Sequence, residues 1–277
     1  MENLSGYTSF GIGGPAELFF APAGRAGLVE TARRCREAGL PTYVLGKGTN
    51  LLVSDEGVKG AVIATSGLRN IEAQDGTITA DCGAGLHRLI AMAEEHGLSG
   101  LEPLAGIPGS VGGAIKMNAG TASRCIADVI EEITLLTPDG GVFAIGTGEA
   151  DFGYRCSGLD GATVLSATFR LLPSDREVVA RSVREHWRRK AEKQPMTQAS
   201  AGCVFKNPPG SSAGRILDRL GLKDAVEGGA RISGKHANFI VNCGRATAAD
   251  VKALIARARQ AVLSAQGIVL ELEIEVW

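Results

Sequence analysis

Residues 105–120 read Ala-Gly-Ile-Pro-Gly-Ser-Val-Gly-Gly-Ala-Ile-Lys-Met-Asn-Ala-Gly. Five glycines lie within these sixteen residues, and Pro108 stands between two of them. Glycine lets a backbone approach a ligand closely and adopt positive φ, and successive N–H groups can then form a concavity that binds anions. A second stretch, residues 45–53, reads Leu-Gly-Lys-Gly-Thr-Asn-Leu-Leu-Val and has the same character. Two such loops in one chain predict a long ligand with phosphates, such as a dinucleotide.

The composition is that of an ordinary globular protein. Its 277 residues are enough for two or three domains with their own cores. The formal net charge of −1 gives no electrostatic footprint for nucleic acid or an anionic membrane. No window of about 18 consecutive apolar residues is present, and residues 1–4 lack the apolar core of a signal peptide. We therefore expect neither a nucleic-acid partner nor a membrane partner.

The six cysteines and four histidines are scattered singly along the chain. They form no Cys-x-x-Cys pair and no Cys/His spacing that is typical of a metal site. Free thiols in a reducing cytoplasm are therefore the expected state of the cysteines, and no metal centre is expected.

Hydrophobic periodicity predicts an α+β chain without internal repeats. Helices are predicted over 26–38, 86–95, 175–193 and 213–220, with a long one capped by Thr247 and Asp250. Strands are predicted over 16–21, 42–45, 60–65 and 162–172, as hairpins over 71–80 and 130–145, and over the alternating residues 270–277. The helix over 175–193 is expected to bury Val178, Val179, Val183 and Trp187.

The first glycine loop suggests a Rossmann site but does not complete one. Gly46-x-Gly48 follows a predicted strand, yet Leu51 stands where the third glycine belongs. Leu51 to Val53 continue as β-like sequence, whereas a Rossmann site needs a helix N-terminus at that point. The sequence therefore favours a flavin cradle made by loops between the strands of two lobes.

Several motifs follow one another along nearly the whole chain. They are residues 8–16 (TSFGIGGPA), 45–53, 97–102 leading into 106–120, 152–157 (FGYRCS), 200–208 (SAGCVFKNP) and 236–242 (HANFIVN). Together they resemble the UDP-N-acetylenolpyruvoylglucosamine reductases, the flavoenzymes of bacterial peptidoglycan synthesis. The chain is similar to the shorter subtype, which lacks an extra substrate-covering tyrosine loop.

The resemblance implies a fold, two cofactors and a reaction. The fold is a two-lobe FAD-binding fold of the vanillyl-alcohol-oxidase type, with lobes over 1–66 and 67–180, the second completed by the last strand at 272–277. A third, α+β domain for substrate would cover 181–271. FAD would be held non-covalently and reduced by NADPH, and the enolpyruvyl group of the UDP-sugar would then be reduced to give UDP-N-acetylmuramate. A cytoplasmic monomer is expected.

Three catalytic residues are carried over from the family motifs. Arg155 matches the active-site arginine of Tyr-Arg-x-Ser, and its planar charged fork can stabilise negative charge that develops on the enolpyruvyl carboxylate and C2. Cys203 stands where the family usually has a proton-donating serine. A thiol with an ordinary pKa of about 8.5 is mostly protonated at neutral pH and can serve as the acid. Glu273 matches the catalytic glutamate, although Leu272 replaces a proline and a slip of two residues onto Glu275 stays open.

The resemblance also assigns the binding residues. The expected cofactor contacts are Leu45, Gly46, Lys47, Gly48, Thr49, Asn50, Leu51, Gly106, Pro108, Gly109, Ser110, Gly112, Gly113, Asn118, Ala119 and Gly120. The expected substrate contacts are Tyr154, Lys206, Asn207 and His236, and for His236 packing at a strand end is an equal alternative. Gly11 and the segment 121–124 depart from the family pattern and leave their contacts to the flavin loops open.

Two other functions fit parts of the sequence. A different flavin oxidase or dehydrogenase of the same fold would keep the glycine loops but would have another third lobe. A non-catalytic binding protein on this scaffold is suggested by the missing serine. The segment from Cys203 to Pro208, together with Glu273, favours the reductase over the first alternative.

Overall fold

The structure is a computed structural model that describes residues 1–121 and 123–277, so Ala122, within the divergent segment 121–124, lies outside the described residues. The helices are α1 (Arg25–Glu37), α2 (Leu86–Glu95), α3 (Val111–Lys116), α4 (Arg176–Lys193), α5 (Ala213–Arg219) and α6 (Ala248–Gln266). The strands are β1 (Glu2–Asn3), β2 (Pro15–Phe20), β3 (Thr42–Leu45), β4 (Leu51–Leu52), β5 (Val58–Ala64), β6 (Ile71–Gln74), β7 (Thr77–Asp81), β8 (Leu98–Ser99), β9 (Ile130–Leu136), β10 (Val142–Gly146), β11 (Thr163–Arg170), β12 (Leu172–Pro173), β13 (Val226–Glu227), β14 (Ala230–Ile232), β15 (Ile240–Asn242) and β16 (Glu275–Val276). No helix of this described part combines the length and hydropathy needed to cross a bilayer.

The chain divides into two compact units. The central unit contains Phe19–Lys47 and Ala61–Lys190, and the terminal unit contains Met1–Leu18, Gly48–Gly60 and Ala191–Trp277. The boundaries of these two units differ from the boundaries predicted for the three lobes. The division into three lobes therefore stays a prediction.

The central unit is built on an antiparallel five-stranded sheet in the order β10-β9-β11-β7-β6. Both predicted hairpins are present, and Asp75 and Gly76 form the tight turn between β6 and β7, each with positive φ. The helix α2 buries Leu86, Leu89, Ile90 and Ala93, which recur at helical spacing and therefore share one face. The predicted bounds of α2 are confirmed.

The apolar face predicted for α4 is only partly right. Val179 is buried and Val183 packs against the core, but 46% of Val178 and 53% of Trp187 are exposed. The buried residues of α4 are Val179 and Ala180, and Val183 lies one turn further on. Successive helical residues are rotated by about 100°, so Val178, on the far side of Val179 from Ala180, falls outside this stripe.

The terminal unit has its own core around α6. Val251, Leu254, Ile255, Ala258 and Val262 of this helix are all buried, as predicted from their spacing. The capping box is also confirmed, because the Thr247 hydroxyl accepts from the Asp250 N–H and the Asp250 carboxylate accepts from the Thr247 N–H. The three-stranded sheet β13-β14-β15 was not predicted as a sheet, since its strands are only two or three residues long.

The last strand does not complete the lobe over 67–180, so that part of the prediction is wrong. Only Glu275–Val276 is a strand, and it pairs in parallel with Leu51–Leu52 inside the terminal unit. The Trp277 N–H donates to the Leu52 carbonyl, and the Ser54 N–H donates to the Trp277 carbonyl. The same loop is attached to α6, because the Asp55 carboxylate accepts from the N–H groups of Ala248 and Ala249. These bonds place residues 48–60 in the terminal unit.

Candidate active site

The two glycine loops meet inside the central unit. A Cβ placed on Gly46 would lie 2.5 Å from Ser110 Oγ, so the first loop can approach the second only because residue 46 has no side chain. Gly106 and Gly109 have φ values of 75° and 140°, which favour glycine. Ser110 is the N-cap of α3, where its Oγ accepts from the Gly113 N–H at 3.3 Å. Bare backbone and one hydroxyl therefore line the junction of the loops.

A lysine ammonium lies at the same junction. Gly85 pairs with Ser110 in an isolated antiparallel bridge. A Cβ on Gly85 would lie 2.7 Å from Lys47 Nζ and 2.6 Å from His87 Cε1, so both side chains cross the bare face of this glycine. Burial, with Lys47 as a second cause, lowers the pKa of His87. Two glycine loops, a serine hydroxyl and an ammonium group fit a ligand that carries phosphates.

The second half of the first loop belongs to the terminal unit. The strand β3 ends at Leu45 and β4 follows at Leu51, so the absence of a Rossmann helix after Gly48 is confirmed. Gly48 has a φ of 58°, and a Cβ there would lie 2.2 Å from the Tyr7 carbonyl oxygen. This glycine is therefore required for the path of the loop itself.

Asn118, Ala119 and Gly120 have structural contacts of their own. The buried Asn118 side chain donates from Nδ2 to the Gly153 carbonyl at 2.9 Å and accepts at Oδ1 from the Ala127 N–H at 3.4 Å. A Cβ on Gly120 would lie 2.6 Å from Cys125 Cα. Contacts of these three residues with the cofactor stay a prediction, and the structure shows that Asn118 holds the segment that contains Arg155.

Arg155 stands at the tip of a tight turn in the central unit. Gly153 and Cys156 exchange backbone hydrogen bonds of 3.1 and 3.4 Å, which leaves Tyr154 and Arg155 as the two central residues. Arg155 has a φ of 59°, which is unfavourable for a side chain of this size, and its Cζ lies 5.1 Å from the centroid of the Tyr154 ring. Strained backbone of this kind concentrates at functional sites.

The segment 203–206 is held on both sides within the terminal unit. The buried Asn238 side chain bonds both backbone groups of Phe205, accepting from its N–H at 3.0 Å and donating to its carbonyl at 2.8 Å. On the other side, the Glu273 N–H donates to the Val204 carbonyl at 2.8 Å. The structure thus brings the backbones around Cys203 and Glu273 together. Asn238 was not among the predicted site residues, because its only signal in the sequence is a polar residue inside the largely apolar motif 236–242.

The three glutamates of the last segment have different surroundings. Glu271 is exposed and forms an ion pair with Lys206 at 3.5 Å. Glu275 is also exposed and lies in β16. Glu273 is half-buried, and its carbonyl accepts from Asn50 Nδ2 at 2.9 Å. The Glu275 N–H likewise donates to the Asn50 carbonyl at 2.9 Å, so both glutamates are attached to this predicted cofactor loop, and the choice of Glu273 over Glu275 stays a prediction.

Asn207 and His236 both contact the first turn of α5. Asn207 Oδ1 accepts from the Ala213 N–H at 3.1 Å. His236 is half-buried beside Gly214, where a Cβ would lie 2.9 Å from its Cε1, and its Nδ1 accepts from the Asn238 N–H at 3.3 Å. Burial lowers the pKa of His236. The structure supports the packing role of His236, and contact with substrate stays a prediction.

Two family profiles together cover most of the chain. The family described as "UDP-N-acetylenolpyruvoylglucosamine reductase, C-terminal domain" matches residues 194–277, and the one described as "FAD binding domain" matches residues 16–146. The enzyme of that reductase name from Moorella thermoacetica is 44% identical over 277 residues, which is 100% of this chain and 92% of that protein. Reductase 2 of Symbiobacterium thermophilum is 42% identical, over 100% of this chain and 91% of that protein.

A solved structure agrees with these sequence matches. The crystal structure of UDP-N-acetylenolpyruvylglucosamine reductase from Thermus caldophilus aligns with a TM-score of 0.88 and 41% identity, over 100% of this chain and 97% of that chain. The chain belongs to the UDP-N-acetylenolpyruvoylglucosamine reductase family. It is a UDP-N-acetylmuramate dehydrogenase of peptidoglycan precursor synthesis, which uses FAD with NADPH as the reductant.

Membership of this reductase family confirms several predictions. The α+β fold with an FAD-binding part, the reaction and the cofactors are as expected. The match of residues 194–277 contradicts the alternative that the third lobe belongs to another oxidase. The roles of the individual site residues remain predictions.

One of the cysteines beside the second glycine loop is a buried thiol. Cys82 packs beside Gly112, and burial, followed by the charge of Asp81, raises its pKa to about 12. A thiol that stays protonated is a poor nucleophile, which agrees with non-covalent flavin. None of the six cysteines forms a disulfide with another described residue. Among the described residues, no group of three or more His, Cys, Asp or Glu side chains could hold a metal ion.

Proposed function

We propose that Arg155, Cys203 and Glu273 are the catalytic residues of this reductase. The observation that carries the proposal is the segment 203–206, held between Asn238 and Glu273 by backbone and side-chain hydrogen bonds of 2.8 to 3.0 Å. A catalytic group must be fixed in place, and this segment is fixed on both sides.

The glycine loops are the proposed cofactor cradle. Gly46, Ser110 and the Lys47 ammonium would face the diphosphate of FAD, because the bare backbone of the first loop, the serine hydroxyl and the ammonium group meet at this junction. Bound FAD would supply the hydride chemistry between NADPH and the enolpyruvyl double bond.

Arg155 is the electrostatic catalyst. Hydride addition to the double bond places negative charge on C2 and the carboxylate of the substrate. The planar guanidinium can donate two parallel hydrogen bonds to that carboxylate, and its charge persists at any physiological pH. The turn 153–156 presents this side chain beside Tyr154, which is 53% exposed and available for substrate contact.

Cys203 is the proton donor. Its S–H gives a proton to C2, a C–H bond forms, and the resulting thiolate takes a proton from water. Glu273 supplies a carboxylate next to this segment, and Lys206 and Asn207 supply polar groups for the UDP-sugar. The reductase reaction then balances as one hydride and one proton added across the double bond.

The two half-reactions test the assignment of Arg155. Arg155→Lys keeps the charge but loses the bidentate fork, so oxidation of reduced enzyme by the enolpyruvyl UDP-sugar should slow by about 10²-fold or more. Flavin bleaching by NADPH under anaerobic conditions should change far less. Arg170→Lys, which alters an exposed arginine paired with Glu131, is the matched control. Equal slowing of both half-reactions would contradict the proposal and indicate structural damage.

The proposal also covers the oligomeric state of the enzyme and its location in the cell. We expect a monomer in the cytoplasm, where its product enters the cell-wall synthesis on which cell shape and division depend. Six cysteines that form no disulfide with one another are consistent with a reducing compartment. Light scattering during gel filtration would measure the mass, and a dimer would contradict the monomer.

A further inference from the structure

Two arginines on α5 have no carboxylate partner. Arg215 and Arg219 are exposed and lie four residues apart, and no ion pair joins either one to another residue of the described chain. Asp218 lies three residues after Arg215, within reach on a helix, but its carboxylate pairs with Lys223 at 2.9 Å. Arg219 lies in the last turn of α5, where a cation stabilises the helix, but a like charge four residues before it opposes that effect, so helix stability does not explain Arg215.

Elsewhere on the described helices, several arginines of this kind are neutralised. Arg33 and Arg34 of α1 pair with Glu30, and Arg189 of α4 pairs with Glu185. Arg257 of α6 lies 3.9 Å from Glu227. Arg215 and Arg219, like the exposed Arg181 and Arg184 of α4, have no such partner among the described residues, but they differ from those two in lining a concave surface.

The two arginines line a concave surface of the terminal unit. The cavity has a volume of about 470 Å³, and the other lining residues are Gly210, Ser211 and Ser212. This volume falls within the range of sites for small ligands. Guanidinium forks and serine hydroxyls are donors suited to phosphate oxygens, and no carboxylate lines the cavity.

The cavity adjoins the segment that carries the proposed proton donor. Asn207 follows Lys206 in that segment, and its side chain accepts from the N–H of Ala213, the residue after Ser212. The loop from Pro208 to Ser212 is therefore fixed to the proposed substrate-binding residues at both ends. A ligand held by Asn207 would have the cavity beside it.

We propose that Arg215 and Arg219, with the hydroxyls of Ser211 and Ser212, bind the diphosphate group of a nucleotide substrate. The inference rests on the proposed function, because both substrates of that reaction, the UDP-sugar and NADPH, carry a diphosphate. The site binds and orients this group and takes no part in hydride or proton transfer.

Direct binding is the first test. Calorimetry on oxidised holoenzyme would measure the Kd of UDP and of inorganic pyrophosphate for wild type and for the double variant Arg215→Ala/Arg219→Ala. A hydrogen bond to a charged group is worth about 10-fold in affinity, so the double variant should bind both probes about 10²-fold more weakly. Arg215→Lys/Arg219→Lys should recover part of the loss, because it restores the charge without the fork.

Arg257→Ala is the matched control, since it removes one exposed arginine from the same unit. Both target residues are exposed, so the variants should keep the wild-type circular dichroism spectrum and flavin content. If the double variant did not fold, Arg215→Gln and Arg219→Gln singly would answer the same question. Unchanged Kd values for both probes, within about twofold, would overturn the proposal.

Steady-state kinetics would then identify the source of the diphosphate. A rise in KM for the enolpyruvyl UDP-sugar alone assigns the cavity to that substrate, and a rise in KM for NADPH alone assigns it to NADPH. Unchanged KM values for both the UDP-sugar and NADPH would overturn the proposal, even if the double variant bound UDP more weakly than wild type does. Failure of the proposed function would look different, because wild-type enzyme reduced by NADPH would then not be reoxidised by the UDP-sugar at all.

Discussion

Cys203 is the predicted proton donor, at the position where the family motif leads us to expect a serine. Its neighbours are fixed by Asn238 and by the Glu273 backbone, so the side chain at residue 203 has a defined position. A thiol is larger and more acidic than a hydroxyl and is a weaker hydrogen-bond donor, but each carries one proton that it can donate. Serine at this position therefore keeps a proton donor, whereas alanine removes it.

Cys203→Ser should keep substantial activity, and Cys203→Ala should not. General acids contribute about 10²- to 10⁴-fold, so the alanine variant should lose that order in the rate of transfer to the enolpyruvyl group. Its flavin should still be bleached by NADPH. Stopped-flow measurement of the two half-reactions separates these effects.

Thiol chemistry gives an independent check of the same assignment. Alkylation should inactivate the wild-type enzyme, and the UDP-sugar should protect it. Cys243→Ala, which removes an exposed thiol of the same unit, is the control and should behave as wild type. If Cys203→Ala turns over at the wild-type rate, Cys203 is a packing residue and the proton comes from water or Glu273.

His236 should make stability depend on pH. Burial lowers its pKa in the folded state, so the unfolded chain, with an ordinary value of about 6.5, binds a proton first. The contribution of His236 to folding is therefore present above pH 6.5 and is lost as the pH falls towards the folded value. The free energy of unfolding should fall by at most about 1.4 kcal/mol per pH unit from this group.

Urea titrations at several pH values between 7.5 and 5.5 would measure that slope. His236→Gln should show a shallower fall than wild type, because the variant has no imidazole to protonate. The comparison removes the contribution of the other histidines and of the carboxylates. Parallel curves for wild type and variant would mean that His236 titrates alike in both states.

At the scale of elements, the glycine loops owe their path to missing side chains. Gly48→Ala would place a methyl group 2.2 Å from the Tyr7 carbonyl oxygen at a φ of 58°, so the loop must move. Purified Gly48→Ala should therefore contain little flavin. The flavin content is measured as the ratio of the absorbance at about 450 nm, where flavin absorbs, to that at about 280 nm, where aromatic side chains absorb.

The control for this loop is Gly221→Ala. Gly221 also has a positive φ, of 68°, but no atom lies within 4 Å of its added Cβ. This variant should lose about 1 kcal/mol of unfolding free energy from backbone strain and keep its flavin. Equal flavin content in both variants would mean that Gly48 is not needed for the cradle.

The elements predicted correctly are those with long periodic patterns and local end signals. The helix α2 and the capping box of α6 were predicted in full, since spacing and capping lie within a few residues. The helix α3 was missed because Gly112 and Gly113 have low helix propensity, and Ser110 caps it inside the glycine stretch. The pairing of β16 with β4 joins residues more than 200 positions apart, which no local pattern encodes.

The residues of the candidate site also differ in whether the sequence could identify them. Arg155, Cys203 and Glu273 could be named from motifs, because their residue types report the chemistry directly. Asn238 could not be assigned a role, since its function is to hold the backbone of Phe205, 33 residues away. Arg215 and Arg219 look like any helix arginines until the structure shows that Asp218 pairs with Lys223 instead.

At the scale of the whole molecule, the first glycine loop connects the two compact units. Its residues Gly46 and Lys47 belong to the central unit, and Gly48 and Asn50 belong to the terminal unit. Bound FAD should stabilise the folded state, because a ligand that binds only the native protein shifts the equilibrium away from unfolding.

Removal of FAD should therefore lower the stability of the reductase in a way that depends on FAD concentration. With free FAD at about 100 times its Kd, the holoenzyme should exceed the apoenzyme by about 2.7 kcal/mol in unfolding free energy, and the difference should grow with the logarithm of FAD concentration. Thermal denaturation of stripped and reconstituted enzyme, monitored by circular dichroism, measures this shift in Tm. Gly48→Ala should show little of the shift and Gly221→Ala most of it. A Tm that is the same with and without FAD would contradict the cradle, because any ligand bound to the native state alone must raise it.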